Sequence, residues 1–161
     1  MRTIVLTRID DRLIHGQVVT AWVKHVNCNR ILVVDDPLTK DIFMQKILRS
    51  AAPAGMELKV LGAQEAAGYL AEEADPKERI MILVKGPEVL ETLVDSGVPL
   101  PQVILGGMGA KAGRKKFNRN VSASESEVAC LKRLLEKGCA LQYQLVPDEK
   151  PTPLRDRLSG P

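Results

Sequence analysis

Aromatic side chains are scarce in this chain: two Phe, two Tyr and one Trp, 3% of 161 residues. Any core must therefore be aliphatic. Cysteine is scarce as well. Cys28, Cys130 and Cys139 are an odd number without the paired spacing of a zinc site, which excludes a disulfide framework and reads as reduced thiols. No apolar run approaches the roughly 18 residues needed to cross a bilayer, and the N-terminus lacks the apolar stretch and cleavage site of a signal peptide. These absences make a cytoplasmic protein the expectation. Charge of one sign is lacking too: the net charge is only +3, with basic residues interleaved among acidic ones, so a nucleic-acid partner is not expected. What is present, 45% hydrophobic and 27% charged residues, is ordinary for a globular chain of one domain spanning 1–161.

Apolar runs alternate with segments of helical period. Thr3 to Leu6 reads as a strand, and Val18, Val19, Trp22, Val23 and Val26 mark the helix after it. Arg30 to Val34 is a β-branched run of the kind covered on both faces, ended by Asp35-Asp36-Pro37. Thr39 or a neighbour caps a helix whose apolar positions are Ile42, Phe43, Ile47 and Leu48. Strands are expected at Glu57 to Leu61, Ile80 to Val84 and Val103 to Leu105, with helices from Ala63 to about Glu73 and from Pro87 to about Asp95. Gly106 to Lys116 holds four glycines and four basic residues, and reads as a loop too polar for the core. Asn120-Val-Ser is a short strand. Ser124 with Glu127 forms a capping box for a helix that Gly138 ends. Ala140 to Val146, with alternating Leu141, Tyr143 and Leu145, reads as a half-exposed edge strand, and the tail from about residue 147 as loosely packed. The fold class is α/β, a single domain with a mostly parallel central sheet and helices on both faces.

The stretch with the most chemistry is Arg8-Ile-Asp-Asp-Arg-Leu-Ile-His-Gly-Gln-Val. It places His15 at a strand-to-helix turn, where unpaired N–H groups of Gly16, Gln17 and the next residue carry partial positive charge and can receive an anion. Arg8 and Arg12 offer guanidinium forks suited to phosphate oxygens, and Asp10 and Asp11 can orient them. An imidazole near the positive end of a helix is biased toward its neutral, nucleophilic form. Transient phosphorylation of His15 is the chemistry this suggests. Gly106 and Gly107, leaving a buried strand on the same sheet edge, offer a backbone nest for phosphate; a plain surface turn is the alternative. Asp35 and Asp36 end a strand expected beside the first, so one can pair with an active-site arginine or serve as a strand-end cap. Lys111, Arg114, Lys115 and Lys116 can meet an acidic partner or form a solvated face. Trp22 shares a face with Val18, Val19 and Val26 and reads as core; His25 is a helix-end residue without assigned function.

The stretch from Arg8 to Val18 resembles the signature of the IIB component of mannose/fructose/sorbose-type sugar phosphotransferase systems. Val34-Asp-Asp, Leu105-Gly-Gly-Met-Gly, Arg119-Asn-Val-Ser and Gln144-Leu-Val-Pro extend the resemblance over nearly the whole chain. It implies that His15 accepts a phosphoryl group, through Nδ1, from a histidine on a IIA component. It further implies that the group passes to a sugar held by membrane IIC and IID components, with which the chain associates peripherally. This chemistry calls for no metal and no cofactor. Arg12 is the first choice as phosphate ligand and Arg8 the second. The readings that compete are a regulatory module phosphorylated without sugar transport and a small-ligand binding protein in which His15 only donates a hydrogen bond. An edge strand or apolar helix face can support a homodimer.

Overall fold

Aliphatic runs flanked by Asp, Pro and Gly supply the strands, and the intervening segments of helical period cover them. The computed structural model describes residues 1–159. In chain order the elements are β1 (Ile4–Asp10), α1 (Gly16–Val26), β2 (Arg30–Val34), a 3-10 turn (Pro37–Lys40), α2 (Ile42–Ala51), β3 (Glu57–Leu61), α3 (Ala63–Ala71), β4 (Ile80–Val84) and α4 (Pro87–Asp95). They continue with β5 (Gln102–Gly107), β6 (Lys115–Asn118), β7 (Val121–Ala123), α5 (Glu125–Glu136), β8 (Ala140–Tyr143), β9 (Thr152–Pro153) and α6 (Arg155–Ser159).

Among the described residues the main sheet has the order β3-β2-β4-β1-β5-β8-β9. All pairs are parallel except β8 with β9. Alternation along the strands divides the core in two. Leu32, Val34, Ile80, Ile82, Val84, Val103 and Leu105 pack in one cluster with residues of α3, α4 and α5. Ile31, Val33, Met81, Leu83 and Ile104 pack in the other with Val19 and Trp22 of α1 and Leu48 of α2. The chain runs from β1 toward one edge of the sheet and from β5 toward the other, so the loops after these two neighbours part. A crevice opens at such a reversal at the carboxyl ends of the strands, and both β1 and β5 end there.

Three expectations are corrected, and the second helix packs less fully than its apolar spacing allows. Gly106 and Gly107 are buried and extend β5, with Asp10 opposite Gly107, while Lys115 and Lys116 begin a small antiparallel hairpin of β6 and β7; only the segment between is loop. Strand β8, expected as the last and as an edge, is shorter than expected and lies inside the sheet between β5 and β9. The tail is packed: β9 pairs with β8, and Leu154 and Leu158 enter the core, so two isolated leucines anchor a segment that has no period to betray it. In α2, capped by Asp41 accepting from the Met44 N–H at 3.0 Å, only Leu48 is buried, whereas Ile42, Phe43 and Ile47 face outward. The capping box at Ser124 and Glu127 is as expected, both halves formed.

Candidate functional site

The crevice is shaped by a tight turn leaving β1. Leu13 N–H donates to Asp10 O at 2.9 Å, and Leu13 takes φ +56°, a conformation that costs a branched residue energy and persists only when its surroundings enforce it. They do so here by burying Leu13 and Ile14 in the cluster that holds α1 and α2. His15 follows in extended backbone as the N-cap of α1, its side chain contributing no cap bond. Gly16, at φ +48°, and Gln17 are exposed, and the first turn of α1 holds no acidic residue. The N–H groups of that turn therefore face the space beside His15 without a carboxylate to neutralise them.

Asp10 is the hub. It is wholly buried, and its carboxylate accepts from Arg12 N–H at 3.1 Å, Arg12 Nε at 3.2 Å, Arg12 Nη2 at 3.4 Å and Arg8 Nη2 at 3.5 Å. The half-buried His15 ring lies between two acceptors: Nδ1 is 3.2 Å from Leu13 O, and Nε2 is 3.8 Å from Asp10 Oδ2, without a hydrogen-bond partner. Nδ1 is the nitrogen engaged in a hydrogen bond, so attack on a phosphorus through Nδ1 requires that contact with Leu13 O to be broken.

The two arginines differ sharply. Arg8 is 1% exposed; its Nη1 donates to Gln144 O at 2.8 Å and its Nη2 to Leu145 O at 3.0 Å, and the guanidinium lies 5.1 Å from the Trp22 ring. Trp22 Nε1 donates to the same Leu145 carbonyl at 2.9 Å. Burial pushes the Arg8 guanidinium below its usual value, opposed by Asp10. Arg12 has a side chain 52% exposed and, among the described residues, only Asp10 as an ion-pair partner, so its outer face is open to a ligand. Two guanidinium charges against one carboxylate leave this corner positive, as an incoming phosphoryl group requires.

A second buried arginine closes the site. Arg114, 4% exposed, donates through Nε and Nη2 to Glu127 at 2.9 and 2.8 Å, and through Nη1 to Asp11 Oδ2 at 3.2 Å and Gly109 O at 2.8 Å. The Gly109 N–H donates to the same Asp11 oxygen at 2.7 Å. A cavity of about 350 Å³ beside Arg12 is lined by Asp11, Gly107, Met108, Gly109, Asn120 and Leu145. A larger one, about 670 Å³, lies between the hairpin and α5, and none of the His15-turn residues line it. Among the described residues no cluster of His, Cys, Asp and Glu is arranged to hold a metal ion.

Residues 4–160 match the family described as the PTS system sorbose subfamily IIB component. The chain belongs to this family. Over 157 residues it is 36% identical to the mannose-specific EIIAB component of Escherichia coli K12, covering 96% of this chain and 48% of that protein, so the chain spans about half the length of such relatives. To the sorbose-specific EIIB component of Lacticaseibacillus casei it is 34% identical, covering 89% of this chain and 87% of that one. The crystal structure of the IIB domain of the Klebsiella pneumoniae sorbose permease superposes with TM-score 0.90 at 31% identity, covering 97% and 96% of the two chains. The IIB fold and the sugar-phosphotransferase affiliation are thus established, and the α/β architecture expected from the sequence is the one observed.

Within this IIB chain the site residues expected from the sequence fall into two groups. His15, Arg12, Arg8, Asp10, Gly16 and Gln17 converge on one turn. Gly106 and Gly107 lie at the same site, at the end of β5 beside Arg8 and Arg12. A Cβ at Gly106 would lie 2.1 Å from Arg8 Nη2, so Gly106 makes room for that side chain, whereas a Cβ at Gly107 would sit in ordinary contact, 3.4 Å from Arg12 Nη2 and Asp10 Oδ1. Asp35 and Asp36 are elsewhere. Strand β2 is separated from β1 by β4, and the two carboxylates accept from Leu38 N–H at 3.1 Å and Ala63 N–H at 2.9 Å, which makes them turn and helix caps. Arg114 was hidden from sequence reading within a basic run. The only signal available was an acidic partner, Glu127, at a helix start.

Proposed function

We propose that this chain is the phosphocarrier of a sugar phosphotransferase system, a protein-N(pi)-phosphohistidine–sugar phosphotransferase. His15 takes a phosphoryl group from a phosphohistidine on a IIA component and passes it to a sugar. The membrane IIC and IID components hold that sugar, and the chain works on the cytoplasmic face through them. The observation that carries this reading is the exposed Arg12 guanidinium, held by Asp10 beside the open N-terminus of α1 and the His15 ring. Arg12 and the first-turn N–H groups supply fixed donors for the phosphoryl oxygens as the group passes in line between two imidazoles. Exchange between two such nitrogens is close to balanced, so positioning and charge are the requirements the site must meet. Attack through Nδ1 requires the ring to swing away from the Leu13 carbonyl; Asp10 then stands ready to accept a proton carried on Nε2.

The test is intact-mass analysis after incubation with a phosphorylated IIA component. One acid-labile phosphoryl adduct on the wild-type chain and none on His15→Ala is the expected result. A folded wild-type chain that stays unmodified beside an active donor overturns the reading.

A further inference from the structure

We propose that Arg114 is a positioning residue for transfer at His15, acting through Asp11. The proposal rests on the carrier reading of His15 given above. Three elements meet at this one guanidinium: the turn after β1 through Asp11, the segment after β5 through the Gly109 carbonyl, and the start of α5 through Glu127. Its neighbours in sequence, Lys115 and Lys116, are exposed, whereas the Arg114 side chain is only 4% exposed, so its charge is directed at its protein partners rather than at solvent. Asp11 is held from both directions, by Arg114 and the Gly109 N–H on its carboxylate and by its own N–H donating to Gly107 O at 3.1 Å.

Asp11 is the first turn residue after β1, and the next residue is Arg12. Holding Asp11 to the 107–109 segment fixes the turn from which Arg12 projects and from which the backbone continues through Leu13 to His15. The same clamp forms one wall of the cavity beside Arg12. Glu127 orients the clamp from the other side and is itself tied down, because its Oε1 also accepts the Ser124 N–H at 2.9 Å. The hydrogen bonds to Glu127 raise the Arg114 pKa above its ordinary value, so the cation persists at any working pH.

The role is separable from plain stabilisation. Loosening the turn displaces Arg12 relative to His15 without removing either residue, and misplacement on the scale of 1 Å costs roughly 10- to 100-fold in rate. In single-turnover transfer from a phosphorylated IIA component, Arg114→Met is expected to slow the limiting rate by about that factor, with little change in the donor concentration that half-saturates it. Asp11→Asn should slow transfer comparably. The double variant should be no slower than the more impaired single one, because both act through one contact. Arg114→Lys, which retains the charge but not the fork, should recover part of the rate. Asp41→Ala removes the side-chain cap of α2, remote from Arg114 and its partners, and should lower Tm while transferring at the wild-type rate.

Hydrogen–deuterium exchange is the readout independent of any donor: Arg114→Met should speed exchange across Asp11 to His15. Wild-type rates in Arg114→Met, or multiplicative losses in the double variant, overturn the proposal. A wild-type chain that accepts no phosphoryl group overturns the carrier reading instead; unchanged exchange in Arg114→Met then sinks the clamp on its own.

Discussion

Adding one methyl group at Gly106 tests how tightly the buried arginine is built in. The Cβ of Gly106→Ala would stand 2.1 Å from Arg8 Nη2, 2.3 Å from its Cζ and 2.8 Å from Nη1, far inside van der Waals contact. Arg8 cannot simply swing aside, because it is 1% exposed and bonded to Gln144 O at 2.8 Å and Leu145 O at 3.0 Å. Overpacking that strand β5 absorbs by shifting costs about 1–3 kcal/mol. Expelling the guanidinium from its partners leaves a buried charge uncompensated and costs about 3–5 kcal/mol. The chain takes the cheaper route or a mixture, so a loss of about 1–5 kcal/mol is expected, or a Tm lower by about 2–20 °C for a domain of this size. The control is Gly68→Ala in α3, where a Cβ meets nothing within 4 Å and a helix-interior glycine gives way to a better helix former. That change should stabilise by about 0.5–1 kcal/mol. Thermal unfolding of both variants reads the opposite signs directly. A Gly106→Ala chain within about 0.5 kcal/mol of wild type, a margin below the lower bound for overpacking, refutes the claim that Gly106 exists to admit Arg8.

The arginines of the His15 turn should separate stability from activity. Arg12→Ala should cut phosphoryl transfer by about 100-fold and leave Tm nearly unchanged, as its ion pair is solvent-screened, while Arg8→Met should destabilise by about 3–5 kcal/mol. Equal effects on both properties from both substitutions contradict that division. Glu91, bridging α4 to Arg133 and Lys137 of the α5 end at 2.7 and 3.0 Å, has its carboxyl lowered from 4.5 to about 2 by those cations. A depressed carboxyl stabilises the fold above its unfolded value and loses that contribution as pH falls through the folded one. Stability should therefore decline between about pH 4.5 and pH 2, and Glu91→Gln should flatten that part of the profile; identical slopes would count against the bridge. Burial pushes the thiols up, Cys28 to about 11 and Cys130 to about 12, with Cys139 raised as well. All three should resist a thiol-specific disulfide reagent in the native protein and react on unfolding, and fast labelling of native Cys130 would contradict its placement.

Period and punctuation made most of the architecture readable. The strands at Arg30, Glu57 and Ile80 stand where their apolar runs lie, and the Ser124 capping box starts α5. What stayed hidden depends on long-range partners. The tail has no hydrophobic repeat of its own, and its two buried leucines find a core only because β8 offers β9 a free side. In α2 the apolar positions keep helical spacing, yet the helix docks through Leu48 alone. Strand order was equally out of reach from local pattern: inserting β4 between β1 and β2 is what removes Asp35 and Asp36 from the site. The His15 turn was readable because its chemistry is local, whereas Arg114 reaches its partners Asp11 and Glu127 only through the folded topology.

One motif contains two arginines of different purpose because a strand ends between them. Within β1 alternate residues share a face, so Arg8 and Asp10 project together toward Trp22 while Ile9 enters the opposite core cluster. Arg8 is thereby drawn into the interior, where the Gln144 and Leu145 carbonyls take up its donors and it fixes the C-terminal chain against the site. Arg12 follows the turn, returns to the same carboxylate from the solvent side, and stays half-exposed. A phosphoryl carrier has to release its group as readily as it accepts it. A desolvated guanidinium gripping the phosphoryl oxygens would deepen the bound state, whereas a solvated one stabilises the charge in passage and lets water compete for it afterwards. Asp10 reconciles the two demands, since one buried carboxylate holds the rigid arginine and the exposed one in fixed relation to His15.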